Sequence, residues 1–363
     1  MKILHVTWGM RIGGLQRSLF QLVTAQREAG VDADLAVASK TGFYSDQLVG
    51  SGAKVVCLGQ RFGLDFSVVP SFLRLAKNYD ALHFHIINIP LVLCTMFLKK
   101  QKFYFSRRGG VHAYGFKKTL YYKIIAPVIR RKYRVSGNTL HAAREAERLF
   151  KLKRGSTVVT YNGLDFSLLE PRTSRKEILN QNDMEEGKVY IGTAAALNKW
   201  KRMHILIEAI AGMKPENLGC IIIGDGPKSS ELYELVQKLG LTDQVKFFGK
   251  QEHVGDFLQV MDIFVLPSGQ GESFGNSAVE AMGMGIPTIV MADGGGLLEH
   301  IPEGSGLVAR NVDHLAHILD DLVMNPELRN RLGNQCKVHV HQKYSIENML
   351  AGYQAFYLGG PES

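Results

Sequence analysis

Short runs of β-favouring apolar residues alternate, along nearly the whole chain, with stretches whose apolar positions recur at helical spacing. In the first half Lys2–Trp8, Asp34–Ser39, Val55–Leu58, Ala81–His85 and Phe103–Ser106 read as strands, with Leu15–Ala29 a helix between the first two. The second half restarts the rhythm. Val189–Ala195, Cys220–Ile223, Val245–Phe248, Ile263–Pro267 and Thr288–Met291 read as strands, and Met203–Met213, Ser229–Leu239, Val254–Met261 and Asn276–Met284 as the helices between them. Strands separated by helices predict parallel sheets covered on both faces, so the pattern predicts an α/β chain of two doubly wound halves. Val158–Asp165 is a strand running into an Asn-Gly turn, and the polar stretch Pro171–Lys188 after it reads as the interdomain linker. Past the second half, Ile346, Met349, Leu350, Tyr353, Phe356 and Tyr357 recur at helical spacing within Tyr344–Leu358.

A chain of 363 residues, 45% hydrophobic and 21% charged, can bury two cores. That composition excludes a disordered, fibrous or disulfide-stapled protein. Four cysteines, Cys57, Cys94, Cys220 and Cys336, lie scattered without a C-x-x-C pair, which fits a reducing cytosol better than a secreted framework or a metal ribbon. The apolar run at the N-terminus is too short for a signal peptide. The most apolar window, Ile86–Leu98, contains Asn88 and Pro90 and falls short of the ~20 residues a bilayer span needs.

The most specific segment is Ile263-Phe-Val-Leu-Pro-Ser-Gly-Gln-Gly-Glu272-Ser-Phe-Gly-Asn-Ser-Ala-Val-Glu280. A strand runs into a glycine-rich loop and then a helix, whose unpaired N-terminal amides suit a phosphate or diphosphate. Glu280, one turn into the helix, can accept from both hydroxyls of a ribose, and Glu272 can reach hydroxyls of a sugar over the loop. Either glutamate alone is explained by the helix dipole or by solvation; two framing Ser-Phe-Gly point to function.

These residues resemble the retaining, GT-B-fold glycosyltransferases of family 4, whose hallmark is two glutamates separated by seven residues, as Glu272 and Glu280 are. The resemblance extends along most of the chain. It implies two Rossmann-like domains facing a central cleft: an acceptor-binding domain at 1–165, a nucleotide-sugar domain at 166–343, and a helix at 344–363 crossing back to the first. It also implies that Glu272 positions the donor sugar, that the amides of Ser273, Phe274, Gly275 and Asn276 approach the sugar and diphosphate, and that Glu280 holds the ribose. Transfer would retain anomeric configuration, with no obligatory metal and no cofactor, the NDP-sugar being a substrate. UDP is favoured over GDP or ADP.

Ala195-Ala-Leu-Asn-Lys-Trp-Lys201-Arg-Met matches a family segment in which an Arg and a Lys neutralise the diphosphate. Lys201 stands at the Lys, but Ala196 replaces the Arg; Arg202 or Lys199 is the candidate compensation. The glycine pair Gly13-Gly14 ends the first strand-to-helix turn, where the family places a Gly-Gly opposite the diphosphate, and Gly226 lies in a donor-side turn, Gly224-Asp-Gly-Pro227, that a plain turn explains almost as well. Arg108 and His112 match a branch of the family with Arg-Gly after the fourth or fifth strand, and either a reacting-centre or a rim role stays open for them. Asp32-Ala-Asp34 precedes its strand and reads as a solvated turn rather than a metal motif. His83 and His85 share a strand face but have no carboxylate or third histidine near them in the sequence, so a metal site is not expected there, and pocket-rim or core histidines are expected instead.

The formal charge is +9, and one stretch supplies it. Residues 99–134 hold twelve of the 43 Lys and Arg and none of the 34 Asp and Glu, leaving 31 basic against 34 acidic elsewhere. Eight aromatics are interleaved: Phe103, Tyr104, Phe105, Tyr114, Phe116, Tyr121, Tyr122 and Tyr133. Such a stretch suits an anionic membrane surface or nucleic acid, or is a solvated face with core rings. The resemblance tips the choice to the inner face of the cell membrane, where family members glycosylate lipid-linked or lipopolysaccharide acceptors. Nucleic-acid binding leaves the Glu272–Glu280 segment unexplained. A nicotinamide-dependent oxidoreductase lacks its G-x-G-x-x-G and acidic partner here.

Overall fold

The computed structural model describes residues 1–109, 116–213 and 217–359, apart from the side chains of 116–119. The chain divides into two compact units: Met1–Leu164 with the segment from Tyr344 onward, and Asp165–Lys343.

The first unit runs β1 (Lys2–Gly9), α1 (Gly14–Glu28), β2 (Asp32–Lys40), α2 (Phe43–Gly50), β3 (Val55–Cys57), α3 (Val69–Ala76), β4 (Ala81–Phe84), α4 (Ile89–Cys94), β5 (Lys102–Arg107), α5 (Phe116–Lys132), β6 (Tyr133–Gly137), α6 (Leu140–Phe150) and β7 (Val158–Val159). Its sheet has the order β3-β2-β1-β4-β5-β6-β7, and every pair is parallel. Alternate residues of a strand face opposite sides, which sorts the core into two layers. Leu4, Val6, Leu82 and Phe84 pack with α3 to α6 residues such as Phe72, Ile125 and Phe150. Ile3, Leu35 and Ala81 face α1 and the C-terminal helix Ile346–Leu358, which fills this layer with Met349, Tyr353, Phe356 and Tyr357.

The second unit continues with α7 (Arg175–Gln181), β8 (Val189–Ala194), α8 (Met203–Ala211), β9 (Leu218–Ile223), α9 (Ser229–Lys238), β10 (Val245–Phe247), α10 (Val254–Leu258), β11 (Ile263–Leu266), α11 (Asn276–Gly283), β12 (Thr288–Met291), β13 (Val308–Ala309), α12 (Val312–Met324) and α13 (Pro326–Lys343). Its sheet is parallel throughout, in the order β10-β9-β8-β11-β12-β13. The α/β fold class predicted from the pattern is therefore the one observed, twice over.

Two sequence readings need correction. Pro171–Lys188 is not a linker: the division falls between Leu164 and Asp165, and the polar stretch contains α7, opened by a Ser174/Glu177 capping box and docked by buried Ile178 and Leu179. Asp32-Ala-Asp34 is not a solvated turn but the start of β2. Asp34 is buried, accepting from the Tyr79 hydroxyl at 2.8 Å and the Lys54 amide at 2.8 Å, while Arg27 holds Asp32 at 2.8 Å.

Candidate functional site

In an open parallel sheet, ligands bind beyond the carboxyl ends of the strands where the winding direction reverses. In the second unit that point lies between β8 and β11. The loop after β8 carries Lys201 and the loop after β11 carries Glu272, so residues far apart in sequence meet there. The Lys201 ammonium donates to Glu272 Oε2, both side chains being largely shielded from solvent. Two bonds tie the loops together: the Gly269 amide donates to the Trp200 carbonyl at 3.3 Å, and the Arg202 side-chain Nε to the Pro267 carbonyl at 2.9 Å.

Gly275 begins α11 in the left-handed region, at φ 72° and ψ 61°, and a Cβ there would lie 2.3 Å from Leu297 Cδ2. Only glycine makes this turn without strain. Behind it Ser273 and Phe274 are buried, and Asn276 opens the helix. Glu280, one turn on, is only 3% exposed, which rules out the reading of a solvated helix residue. A carboxylate beside a lysine and a helix N-terminus together offer one cation, oriented amides and a hydroxyl acceptor, the complement of a phosphorylated sugar.

Residues 174–339 match the model of the glycosyl transferases group 1, and residues 12–168 match that of Glycosyltransferase Family 4. The chain belongs to this glycosyltransferase family. Among its relatives, the N-acetyl-alpha-D-glucosaminyl L-malate synthase of Bacillus anthracis is 27% identical over 202 residues, covering 54% of this chain and 52% of the relative. The putative glycosyltransferase EpsF of Bacillus subtilis is 23% identical across 85% of this chain and 83% of its own. The match thus spans about half the length of the first of these relatives. Among solved structures, Anabaena Alr3699/HepE in complex with UDP superposes with a TM-score of 0.87 at 20% identity, over 99% of this chain and 100% of its own. WaaG, a glycosyltransferase involved in lipopolysaccharide biosynthesis, gives 0.75 at 15% identity, over 98% and 99%. These likenesses identify the fold as GT-B.

The remaining predicted residues of this glycosyltransferase fall into distinct environments. Arg202 is held by Asp293 in a two-pronged pair, with bonds of 2.8 and 2.7 Å, so much of its charge is already balanced. Gly226 sits where a Cβ would lie 2.3 Å from the Leu197 carbonyl oxygen, and its amide is bonded to Asp225 at 2.7 Å; backbone packing accounts for it. Gly13 and Gly14 are at the switch point of the other sheet, between β1 and β4, where Gly13 caps α1. His112 lies outside the described residues. Arg108 is buried, donating to the Tyr353 hydroxyl at 2.6 Å and, at 3.5 Å, to Asn162.

Near Arg108, His5, His83 and His85 form a fully buried cluster under the C-terminal helix. His5 Nδ1 and His85 Nε2 are 2.9 Å apart, and His83 is bonded to the Tyr357 hydroxyl and to Ser106, both at 2.7 Å. The His83 and His85 rings lie 4.1 Å apart at 36°, and those of His5 and His85 5.1 Å apart at 25°. His5 is the third histidine absent from the sequence reading of His83 and His85, and one ring nitrogen of each of the three lies within 4.8 Å of the others, while the Arg108 cation nearby opposes further positive charge. Burial holds all three well below the usual histidine range, His5 at about 3. Burial thus favours the neutral form of all three.

The sequence reading passed over the segment after β12. Asp293 pairs with Arg202, the Gly296 amide donates to the Glu272 carbonyl at 3.1 Å, and His300 lies 2.6 Å from the Phe274 carbonyl. Its signal was Asp293-Gly-Gly-Gly immediately following an apolar strand.

Proposed function

We propose that this glycosyltransferase moves a hexose or N-acetylhexosamine, with retention of configuration, from a nucleoside diphosphate sugar to a glycan or lipid-linked acceptor at the cytoplasmic face of the membrane. The observation that carries the reading is the Lys201–Glu272 pair set at the N-terminus of α11 with Glu280 buried one turn beyond. Glu272 accepts from donor-sugar hydroxyls, Glu280 from the ribose, and Lys201 with the amides of Ser273 to Asn276 bears the negative charge of the departing diphosphate. That charge develops in the transition state, where fixed donors act most strongly. The bond from the anomeric carbon to the diphosphate oxygen breaks while the acceptor hydroxyl oxygen bonds to the same face, its proton leaving on a phosphate oxygen. No protein nucleophile and no metal ion is needed for this route.

UDP is the preferred nucleotide, supported by HepE, whose structures hold UDP and UDP-glucose. A polysaccharide or lipopolysaccharide acceptor is supported by WaaG and by the lipopolysaccharide core mannosyltransferase LpsB of Rhizobium meliloti. Arg108 and the Gly13-Gly14 turn belong to the acceptor-side unit, and contact with anionic lipid is assigned to residues 99–134. The deciding experiment is a panel of UDP-, GDP- and ADP-sugars read by thermal shift and by hydrolysis in the presence of EDTA. Stabilisation and metal-free turnover with UDP-sugars are expected; a flat panel removes the reading.

A further inference from the structure

We propose that His300 is a positioning residue of the donor site, its Nε2–H fixing the Phe274 carbonyl and thereby aiming the Gly275 amide at the bound diphosphate. The inference rests on the reading of the Glu272 loop as the donor cradle. His300 ends the 3-10 turn Gly295–His300, is fully buried, and lies with Nε2 2.6 Å from the Phe274 carbonyl oxygen. A carbonyl only accepts, so Nε2 carries the hydrogen. In a planar trans peptide the carbonyl and the next amide point in opposite directions. Clamping the Phe274 oxygen onto His300 therefore turns the Gly275 N–H away from His300, out of the buried side of the loop.

The same device operates two residues earlier. The Glu272 carbonyl accepts from the Gly296 amide at 3.1 Å, which turns the Ser273 N–H to the opposite side. Gly295 makes the approach possible: at φ +60°, a Cβ there would lie 2.9 Å from the carbonyl oxygens of both Gln270 and Glu272. The segment after β12 is thus a mould whose donors hold the carbonyls of residues 272 and 274 and so set the orientation of the peptide units that follow them, oriented backbone amides being what binds anions. Burial lowers the His300 pKa to about 3, so the ring stays a neutral donor and adds no charge of its own.

The His300 ring also packs on Phe274, with centroids 4.5 Å apart, so the test separates packing from donation. His300→Leu keeps apolar bulk and loses the donor; His300→Gln loses the ring and restores an Nε2 donor at similar reach. UDP affinity is measured by calorimetry on the full chain. His300→Leu is expected to weaken UDP binding about tenfold, the scale of one lost donor to a buried carbonyl, with His300→Gln recovering to within about threefold of the parent. Gly295→Ala, which pushes the mould off the loop, is expected to weaken UDP similarly and serves if His300→Leu does not fold. Parent-like affinity in His300→Leu, or equal losses in the Leu and Gln variants, overturns the inference while leaving the donor reading intact. If His300→Leu does not fold, parent-like affinity in Gly295→Ala overturns it. Absence of UDP binding by the parent protein removes both.

Discussion

At the scale of single residues, the charge of the leaving group decides the argument. A nucleoside diphosphate departs with negative charge on its terminal phosphate, and Lys201 is the cation that the fold fixes at the switch point with its ammonium against Glu272. Lys201→Ala is expected to lower kcat by about 10²–10³, the scale of losing one preorganised donor to a developing charge, while Glu272→Ala lowers it comparably by loosening the sugar. Steady-state rates on variants with parent-like melting temperatures check this, and near-parent rates in either would remove its assigned role. Glu272 and Glu280 stood out because two glutamates frame Ser-Phe-Gly at the start of a helix, whereas Lys201 was singled out through the family resemblance. His300 was not, since a lone histidine in a sequence carries no sign of the carbonyl it will meet. Arg202 was legible as a cation but not as one half of a pair, because Asp293 stands 91 positions away.

At the scale of elements, the basic stretch resolves into two populations. Phe103, Tyr104, Phe105, Tyr122 and Tyr133 are buried, as are Arg107 and Arg108, so most described rings are core rather than interface. Among the described residues the exposed groups are Lys99, Lys100, Lys102, Lys123, Arg130 and Arg131, together with Met96, Phe97, Leu120 and Ile124. Lys132 donates to the carbonyls of Thr95 and Leu98 at 2.6 and 2.8 Å, which fixes the turn bearing Met96 and Phe97 beside the basic end of α5. Apolar prongs ringed by cations suit an anionic lipid surface, each cation contributing about 1 kcal/mol near it. The protein is expected to sediment with phosphatidylglycerol vesicles at low salt and to be released by salt, and Phe97→Ser to weaken the attachment. Failure of the parent protein to sediment would remove the membrane assignment. Among the described residues no helix is long and apolar enough to cross a membrane. Short, nearly continuous apolar runs bounded by turn residues made the strands of the second unit readable to within about two residues. β7 lies within the stretch read as a strand from Val158, whereas the two-residue β13 gave no period to detect, and the polar exterior of α7 concealed a helix held by Ile178 and Leu179.

At the scale of the whole molecule, acid stability is set by groups buried without their protons. His5 and His300 are lowered to about 3, and His83 and His85 well below 6.5, in each case chiefly by burial. The unfolded chain protonates such residues near pH 6.5, so it binds more protons than the folded protein as pH falls. Folding stability is therefore fully present above about pH 6.5 and lost below it, by up to roughly 1.4 kcal/mol per pH unit for each histidine until its folded pKa is reached. For His5 and His300, lowered to about 3, this is roughly 2 kcal/mol each by pH 5, against a total of about 5–15 kcal/mol for a typical domain, and His83 and His85 act in the same direction. Melting temperature is expected to fall steeply between pH 6.5 and 5, above the range where carboxylates titrate, and a flat profile across that window would contradict the buried neutral assignment. Acidification also adds positive charge to a chain already at +9, which destabilises by self-repulsion. Salt separates the two causes: repulsion between exposed charges is screened, whereas the cost of protonating an imidazole packed under the C-terminal helix is not. Loss of stability that persists at high salt assigns it to the histidines.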